Sequence, residues 1–432
     1  MNSANIDNTV VRPKGLVKAK LSRDDIIMRG GMIVIALYLV ISLVFPLYSM
    51  FSKSFSTFQY DLSKFEVQVS DDAGQFSPKI TNLQNLNEGL NAIPDEELST
   101  GSGGRLDVTI FFPDFSFRSP VMYRIRNVDG QGRFLVGSTL MTGTDWQELD
   151  SNTFRRVQLR PVRSTGLSNF INYFSTPALF KSIQNSIFIA IISTIITVIL
   201  AFWFAYALNR SCMRFKGFFR LIAMAPILVP SLLPGIALVY LFGAQGVIKG
   251  LLFGASIYGP IGIIIGSVFF TFPHAFLIIS TALAISDARL YEAAISLKAS
   301  PWKTFWTVTI PGARYGIISA AFVVFNLVIT DFGLPKVIGG QFNVLAVDIY
   351  KQVIGQQNFE MGAVVSVVLI IPAILAFAID RVVQSKQVAL LTARSVPFNP
   401  KPSSRADLIF TIYCGLVGLF IIGMLGICQF AA

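Results

Sequence analysis

The stretch SDARLYEAAISLKASPWKTFWTVTIPGARYG, residues 286–316, stands between two apolar runs, 259–285 and 315–334. Each run is long enough to cross a bilayer as a helix, which takes about 17–25 apolar residues. Two short helices are readable in the loop between them. Ser286 or Asp287 caps the first, which continues through Ala293 and Leu297. Ser300-Pro301 then supplies a fresh N-cap and a proline at the first helical position, and Pro311 is expected to stop the second helix. Leu290, Ala293, Ala294 and Leu297 share one face at helical spacing, and Phe305 and Trp306 follow. An amphipathic hairpin of this kind suits a partner's groove. An interfacial helix lying on lipid has the same periodicity, and periodicity does not choose between them.

Composition sets the environment. The 432 residues are 53% hydrophobic and 14% charged, with a mean hydropathy of +0.62. Soluble domains carry about 25% charge, so this chain must present apolar segments to lipid. The net charge of +11 is uneven: residues 52–180 hold 12 Lys/Arg against 14 Asp/Glu, and the rest holds 23 against 10. A basic excess in short loops is a topology signal, which argues against a nucleic-acid-binding face. Cys212, Cys414 and Cys428 all fall in or beside apolar stretches, so no disulfide framework is available to the polar 52–180 region. The polar, basic first ~29 residues do not read as a cleavable signal.

Seven stretches qualify as spans, at 31–51, 187–208, 218–242, 259–285, 315–334, 361–379 and 408–429. Basic residues cluster before the first span (Arg12, Lys14, Lys18, Lys20, Arg23, Arg29) and after the second (Arg210, Arg214, Lys216, Arg220). They recur after the fourth (Arg289, Lys298, Lys303, Arg314) and after the sixth (Arg381, Lys386, Arg394, Lys401, Arg405). The alternate loops hold only Lys249, or Lys336 and Lys351. This places the N-terminus in the cytoplasm, residues 52–180 outside, and the C-terminus outside. The organisation expected is a tail (1–30), a first transmembrane helix (31–51), an extracytoplasmic region (52–180), a core (181–385), a cytoplasmic linker (386–407) and a seventh helix (408–432).

Within 52–180, LDVTIFFPDFSF (106–117) and VMYRIRNVDGQGRFLVGSTL (121–140) carry β-branched and aromatic runs with a turn signal at Asp129-Gly130-Gln131-Gly132. A small β-rich extracytoplasmic insertion is expected, a spacer or docking module and not a ligand sensor. The earlier QNLNEGLNAIPDEELSTGSGG (84–104) reads as loop with one short helix at most.

The 286–316 loop resembles the signature of the permeases of ATP-driven, binding-protein-dependent importers: Glu-Ala-Ala, three residues, glycine, nine residues, then Ile-x-Leu-Pro. Here Glu292-Ala293-Ala294 opens it, Lys298 occupies the glycine slot, and Val308, Ile310 and Pro311 close it. The resemblance implies an all-α polytopic membrane protein of the type I ABC importer transmembrane fold. It implies that this hairpin docks into a cleft of the ATPase through Glu292, Ala293 and Ala294, with Pro311 directing the chain into the fifth span. A glycine would permit a left-handed turn, in which a lysine costs about 1–2 kcal/mol. Either the turn is built differently here or coupling is weakened.

No G-x-x-x-x-G-K-[ST] phosphate loop is present. The chain is therefore expected to be a transport subunit without cofactor, ATP and Mg being bound by a partner ATPase dimer. The resemblance extends from about residue 167 through LSNFINYFSTPALFKSIQNSIFIA (167–190), SIYGPIGI (256–263) and the 329–368 stretch to the C-terminus. These runs look like the N-terminal half of fused ferric-iron and 2-aminoethylphosphonate permeases, the phosphonate members above all. The resemblance implies a bacterial inner (plasma) membrane location and an extracytoplasmic solute-binding protein as partner. Ferric iron or a polyamine-like solute is the alternative cargo. The fused permeases hold two coupling loops and this chain holds one, which calls for a split or truncated gene, a separate second half, or a homodimer.

Five residues are candidates for a translocation path. Pro226, Pro230 and Pro234 recur every four residues in the third span and are expected near one face of a kinked helix. Asp331, near the end of the fifth span, either attracts a cationic group or pairs with Lys336. His274, the only histidine, lies mid-span and reads first as a satisfied packing residue. A membrane sensor lacks a cytoplasmic output domain, since the cytoplasmic segments reach only about 30 residues. A membrane enzyme lacks a nucleophile or metal-ligand set. Neither accounts for the loop. Replacing Lys298 by glycine is expected to leave solute uptake unchanged or raise it, and a sharp loss of uptake would show a specific role for the lysine.

Overall fold

The computed structural model describes residues 23–59, 162–390 and 402–431 continuously, short stretches between 65 and 160, and the single residues 398 and 400. The expected turn at 129–132, the 84–104 segment, Arg12, Lys14, Lys18, Lys20 and residues 391–397, 399 and 401 of the linker fall outside these residues. The chain forms two units, Met1–Met50 and Phe51–Ala432. The first unit contains most of α1 (Arg23–Ser54), a 32-residue apolar helix. The consecutive Met32, Ile33, Val34 and Ile35 point in four directions around it, and each is more than half exposed. A helix apolar all round is a membrane span. At Val40–Val44 it widens to a π turn, where Ser42 Oγ donates to the Tyr38 carbonyl at 2.7 Å.

In the second unit, strand Ser56–Gln59 pairs antiparallel with Val162–Thr165 and brings the two ends of the inserted region together. Asn169 on the following helix donates to the Ser56 carbonyl at 2.7 Å. Strand Phe65–Val69 pairs with Thr81–Asn82 on one side and Met122–Asn127 on the other, and Gln147–Asp150 completes that sheet. Its alternation is that of a half-buried sheet. Phe65, Val67, Ile125 and Leu149 are buried, while Glu66 and Arg126 meet on the other face at 2.6 Å. A second four-stranded sheet joins Val108–Thr109, Gln158–Arg160, Arg133–Val136 and Thr139–Met141.

The helical part runs α2 (Ser168–Ser175), α3 (Pro177–Arg210), α4 (Lys216–Leu228), α5 (Leu232–Phe242), α6 (Pro260–Ile285), α7 (Ala288–Ser296), α8 (Pro301–Ile329), α9 (Gly333–Ile338), α10 (Leu345–Tyr350), α11 (Phe359–Leu390) and α12 (Ser404–Ala431). The core is built on α3, α6, α8 and α11, with α12 packed along α3, α4 and α5. Phe204 of α3 is fully buried and meets Phe272 and Phe276 of α6 edge-to-face, each at 5.4 Å, the geometry that aromatic quadrupoles favour. Ser319 of α8 donates to Asp380 of α11 at 2.5 Å, and Gln384 donates to the other carboxylate oxygen at 2.8 Å.

Small residues set the distances. A Cβ at Gly316 of α8 would lie 2.3 Å from the Ala282 Cβ of α6, so the two backbones touch there. On α6, Cβ atoms at Gly262 and Gly266 would fall on Ile338 and Leu334 of α9, at 2.6 and 2.5 Å. The short α9 is thus seated in a notch of α6.

The observed spans are longer than the apolar runs, because helix continues into polar flanks: α3 begins at Pro177 and not at 187, and α8 begins at Pro301 and not at 315. The third expected span is not one helix. α4 and α5 meet at 103° across a break of three residues. Val229, pushed out of the helical region by the following Pro230, is extended (φ −106°, ψ 124°). The pair still carries the chain across the bundle. Arg210 at the end of α3 bonds the Leu283 carbonyl at the end of α6, while the starts of both helices line one cavity. The two helices therefore run parallel, and the segment between them must return.

The expected common face of the three prolines is lost for the same reason. Pro226 lies buried in a 3-10 turn, Pro230 is exposed in the break, and Pro234 is buried in the first turn of α5. Pro311 does not stop a helix either. The π turn Phe305–Thr309, in which the Ile310 N–H reaches the Phe305 carbonyl, shifts the hydrogen-bond register just ahead of the proline. The proline then sits in the first turn of the following α-helical segment, where its missing N–H is harmless. Gly316→Ala is expected to destabilise the protein by about 1–3 kcal/mol through overpacking. Gly312→Ala, whose new Cβ would meet only the Ser286 Cβ at 3.6 Å, should melt like the parent protein in detergent.

Candidate functional site

At the end of the bundle where α3 and α6 finish, α7 and the first turns of α8 form the hairpin. Asp287 caps α7 by accepting from the Arg289 N–H at 3.1 Å, and Ser300 caps α8 by accepting from the Lys303 N–H at 3.3 Å. Both caps are those read from the sequence. Between them, Lys298 adopts the left-handed conformation, φ 53°. Its N–H bonds the Ile295 carbonyl at 2.9 Å, and the Ala299 N–H bonds the Ala294 carbonyl at 3.0 Å. This pair of bonds is the Schellman closure, which asks for glycine at that position. The turn is therefore not rebuilt around the lysine. Lys298 occupies the glycine conformation, at a cost of about 1–2 kcal/mol.

The hairpin faces sort differently from the apolar spacing. Ala288, Tyr291 and Ala294 face inward and are buried, whereas Leu290, Ile295 and Leu297 are exposed. Glu292 and Ala293 are exposed too. The four residues read as one face are thus split, with Ala294 inside and Leu290, Ala293 and Leu297 outside. On α8, Trp302 and Trp306 are also more than half exposed, so the outer surface of the hairpin is apolar and aromatic with Glu292 among it.

The inner surface is held by residues that the pattern search did not single out. Tyr291 donates to Thr309 at 3.1 Å, joining the two arms. Arg210 bonds the Leu283 carbonyl at 2.8 Å, and also the Ser286 hydroxyl. Its guanidinium lies 4.9 Å from the Tyr291 ring and 4.7 Å from the Phe398 ring, and the two rings are 4.7 Å apart. In the sequence Arg210 is marked only as one of a cluster of basic loop residues. Phe305 is buried against Phe202, Trp203 and Tyr206 of α3; its only sequence signal was an aromatic cluster at helical spacing.

The candidate path residues do not converge. Asp331 accepts from the Gly333 and Leu334 N–H groups, both at 3.3 Å, and so caps α9. It does not pair with Lys336, whose ammonium lies 4.1 Å from the Tyr350 ring instead. His274 packs 5.9 Å from the Phe270 ring; its Nδ1 meets no partner at full hydrogen-bond geometry, and the Phe270 backbone one turn back is the polar group nearest to acting on it. None of these two or the three prolines lines the cavity at the far end of the bundle. Among the described residues, no group of three or more His, Cys, Asp or Glu is placed to hold a metal ion.

The chain is similar to known transport proteins over about half of its length. The ferric transport system permease protein FbpB of Actinobacillus pleuropneumoniae is 26% identical over 208 residues, 46% of this chain and 30% of that one. The molybdenum transport system permease protein ModB of Azotobacter vinelandii is 29% identical over 180 residues, 40% of this chain and 80% of that one. The spermidine/putrescine permease PotB of Haemophilus influenzae is 25% identical over 225 residues, 50% of this chain and 78% of that one. The chain thus spans less than a third of the length of the ferric relative. Residues 211–388, from the end of the second span through the sixth and including the whole hairpin, match the family described as binding-protein-dependent transport system inner membrane component.

Proposed function

We propose that this chain is a permease subunit of an ATP-driven, binding-protein-dependent importer and that its 286–316 hairpin couples it to a separate ATPase. One observation carries this reading. A rigid helical hairpin projects from one end of a membrane bundle with Leu290, Ile295, Leu297, Trp302 and Trp306 on its outer side. Exposed apolar clusters of this kind mark interaction surfaces. The inner side is bonded to α3, where Arg210 donates to the Tyr291 hydroxyl at 3.4 Å and Phe305 packs among Phe202, Trp203 and Tyr206, so a push on the hairpin is delivered to the spans.

Its lower arm runs through Pro311 into α8 as one helix from Pro301 to Ile329. Glu292, Ala293 and Ala294 are assigned to ATPase docking, and Lys298 and Pro311 to the shape of the turn and its exit. The remaining partners are an extracytoplasmic solute-binding protein and a second permease half or a second copy. ATP and Mg are bound by the ATPase dimer. The hairpin end is cytoplasmic in this reading, the N-terminus with it, and 52–180 is a small β-rich extracytoplasmic module.

For cargo, the sequence resemblance to 2-aminoethylphosphonate permeases favours a phosphonate, while relatives named for ferric, molybdenum and spermidine/putrescine transport show how widely the family's solutes range. Co-expression with the ATPase subunit of the same system tests the coupling. The complex is expected to co-purify with the parent chain and to be lost with Glu292→Arg, which leaves the buried Tyr291 face intact. Retention of the ATPase by the Glu292→Arg chain would count against the proposal.

A further inference from the structure

At the end of the bundle opposite the hairpin, a cavity of about 620 Å³ opens between the starts of α3 and α6 and the turn after α9. This is the size of a small-molecule site. α3 contributes Ala178, Lys181 and Asn185, one face of its first turns, and the turn contributes Gln341 and Asn343. The walls are tied together. The Gly259 N–H donates to the Ile338 carbonyl at 2.9 Å, and Asn185 donates to the Asn343 carbonyl at 2.9 Å.

The lining has a single sign of charge. It includes Lys181, three carboxamides and Tyr258, and no carboxylate. Among the described residues no carboxylate pairs with Lys181. Lys351 bonds the side-chain oxygen of Asn343. Because an ammonium only donates, that contact consumes the acceptor and leaves the Asn343 amide N–H groups as donors. The nearest acid in sequence, Asp348, is buried and turned to Ser182, with burial raising its carboxyl and the Ser182 hydroxyl and Lys351 opposing that rise.

We infer that this cavity is a receiving site for a small soluble oxyanion of the phosphonate or phosphate type, with the Lys181 ammonium as its charge partner and Asn343 as a hydrogen-bond donor. The inference deepens the importer reading and rests on it. A cationic solute meets an uncompensated ammonium here, and an uncharged one leaves that ammonium unused. A lipid phosphate presents the same chemistry, so the test separates the two sources.

The probe is methylphosphonate at millimolar concentration, with its phosphorus resonance followed by NMR as the purified full chain is added in maltoside micelles. Line broadening is expected with the parent chain and with Lys181→Arg. Lys181→Gln should need about tenfold more methylphosphonate for the same effect, as loss of one charge-assisted hydrogen bond implies. Lys249→Gln, which removes a cation outside the cavity, should behave as the parent, and spermidine should not compete.

Equal broadening by parent and Lys181→Gln, absence of broadening, or displacement by spermidine would overturn the site. Loss of broadening when the chain is moved into phosphatidylglycerol nanodiscs would make the occupant a lipid headgroup and overturn the solute assignment. Capture of the ATPase, measured separately, keeps the two readings apart. If capture holds and the anion does not bind, only the present inference fails.

Discussion

Helix α6 packs closely on its neighbours in three places, two of them at glycine, and the rest of the bundle is arranged around those contacts. Near its start, Gly262 and Gly266 leave room for Ile338 and Leu334 of α9. Near its end, Ala282 meets Gly316 of α8 without space for another carbon. Between them, Phe272 and Phe276 close on Phe204 of α3. Apolar surface alone does not order helices in lipid, because lipid tails are as apolar as leucine, so small residues that admit close packing choose the partners. The same helix thereby fixes both ends of the molecule: the cavity through α9, and the hairpin through the exit of α6 at Ser286.

The hairpin combines a locally unfavourable turn with strong tertiary support. A lysine in the left-handed region is disfavoured by its Cβ, yet the two Schellman hydrogen bonds at Lys298 are made as a glycine would make them. What surrounds the turn is over-determined: two caps, the Tyr291–Thr309 bridge, Arg210 spanning Leu283 and Ser286, and Phe305 seated among three aromatics of α3. Strained backbone persists where neighbouring structure over-determines it. The π turn at Phe305–Thr309 serves the same continuity, since it absorbs the proline register and keeps the hairpin arm and the span in one helix.

Proline placement separates what patterning can read from what it cannot. Pro311, expected to end a helix, begins an α-helical segment because the preceding π turn changes which carbonyl would have needed its N–H. Pro230, expected within a kinked span, instead breaks it by 103°. Both are prolines inside apolar helical pattern. The outcome differs because Val229 next to Pro230 goes extended, whereas the turn ahead of Pro311 stays helical against α3. Asp331 shows the same limit. It caps α9 through two N–H groups and also meets the Ser231 hydroxyl in the break between α4 and α5, and no periodicity separates a capping acid from a path acid at the end of a span.

Hydropathy, loop charge and cap chemistry are properties of the residues themselves, and these the sequence determined alone: a polytopic helical chain, the place of its spans, and a two-helix loop capped at Asp287 and Ser300. The loop's spacing likewise carried the likeness to binding-protein-dependent permeases, in the segment that matches their family. Which side chains of the hairpin turn inward, how Arg210 and Phe398 close on Tyr291, and where Lys181, Tyr258 and Asn343 share a cavity were decided only by tertiary structure. Those arrangements join residues 75 to 190 positions apart in rough measure, and only the close packing of α6 against its neighbours brings them within reach.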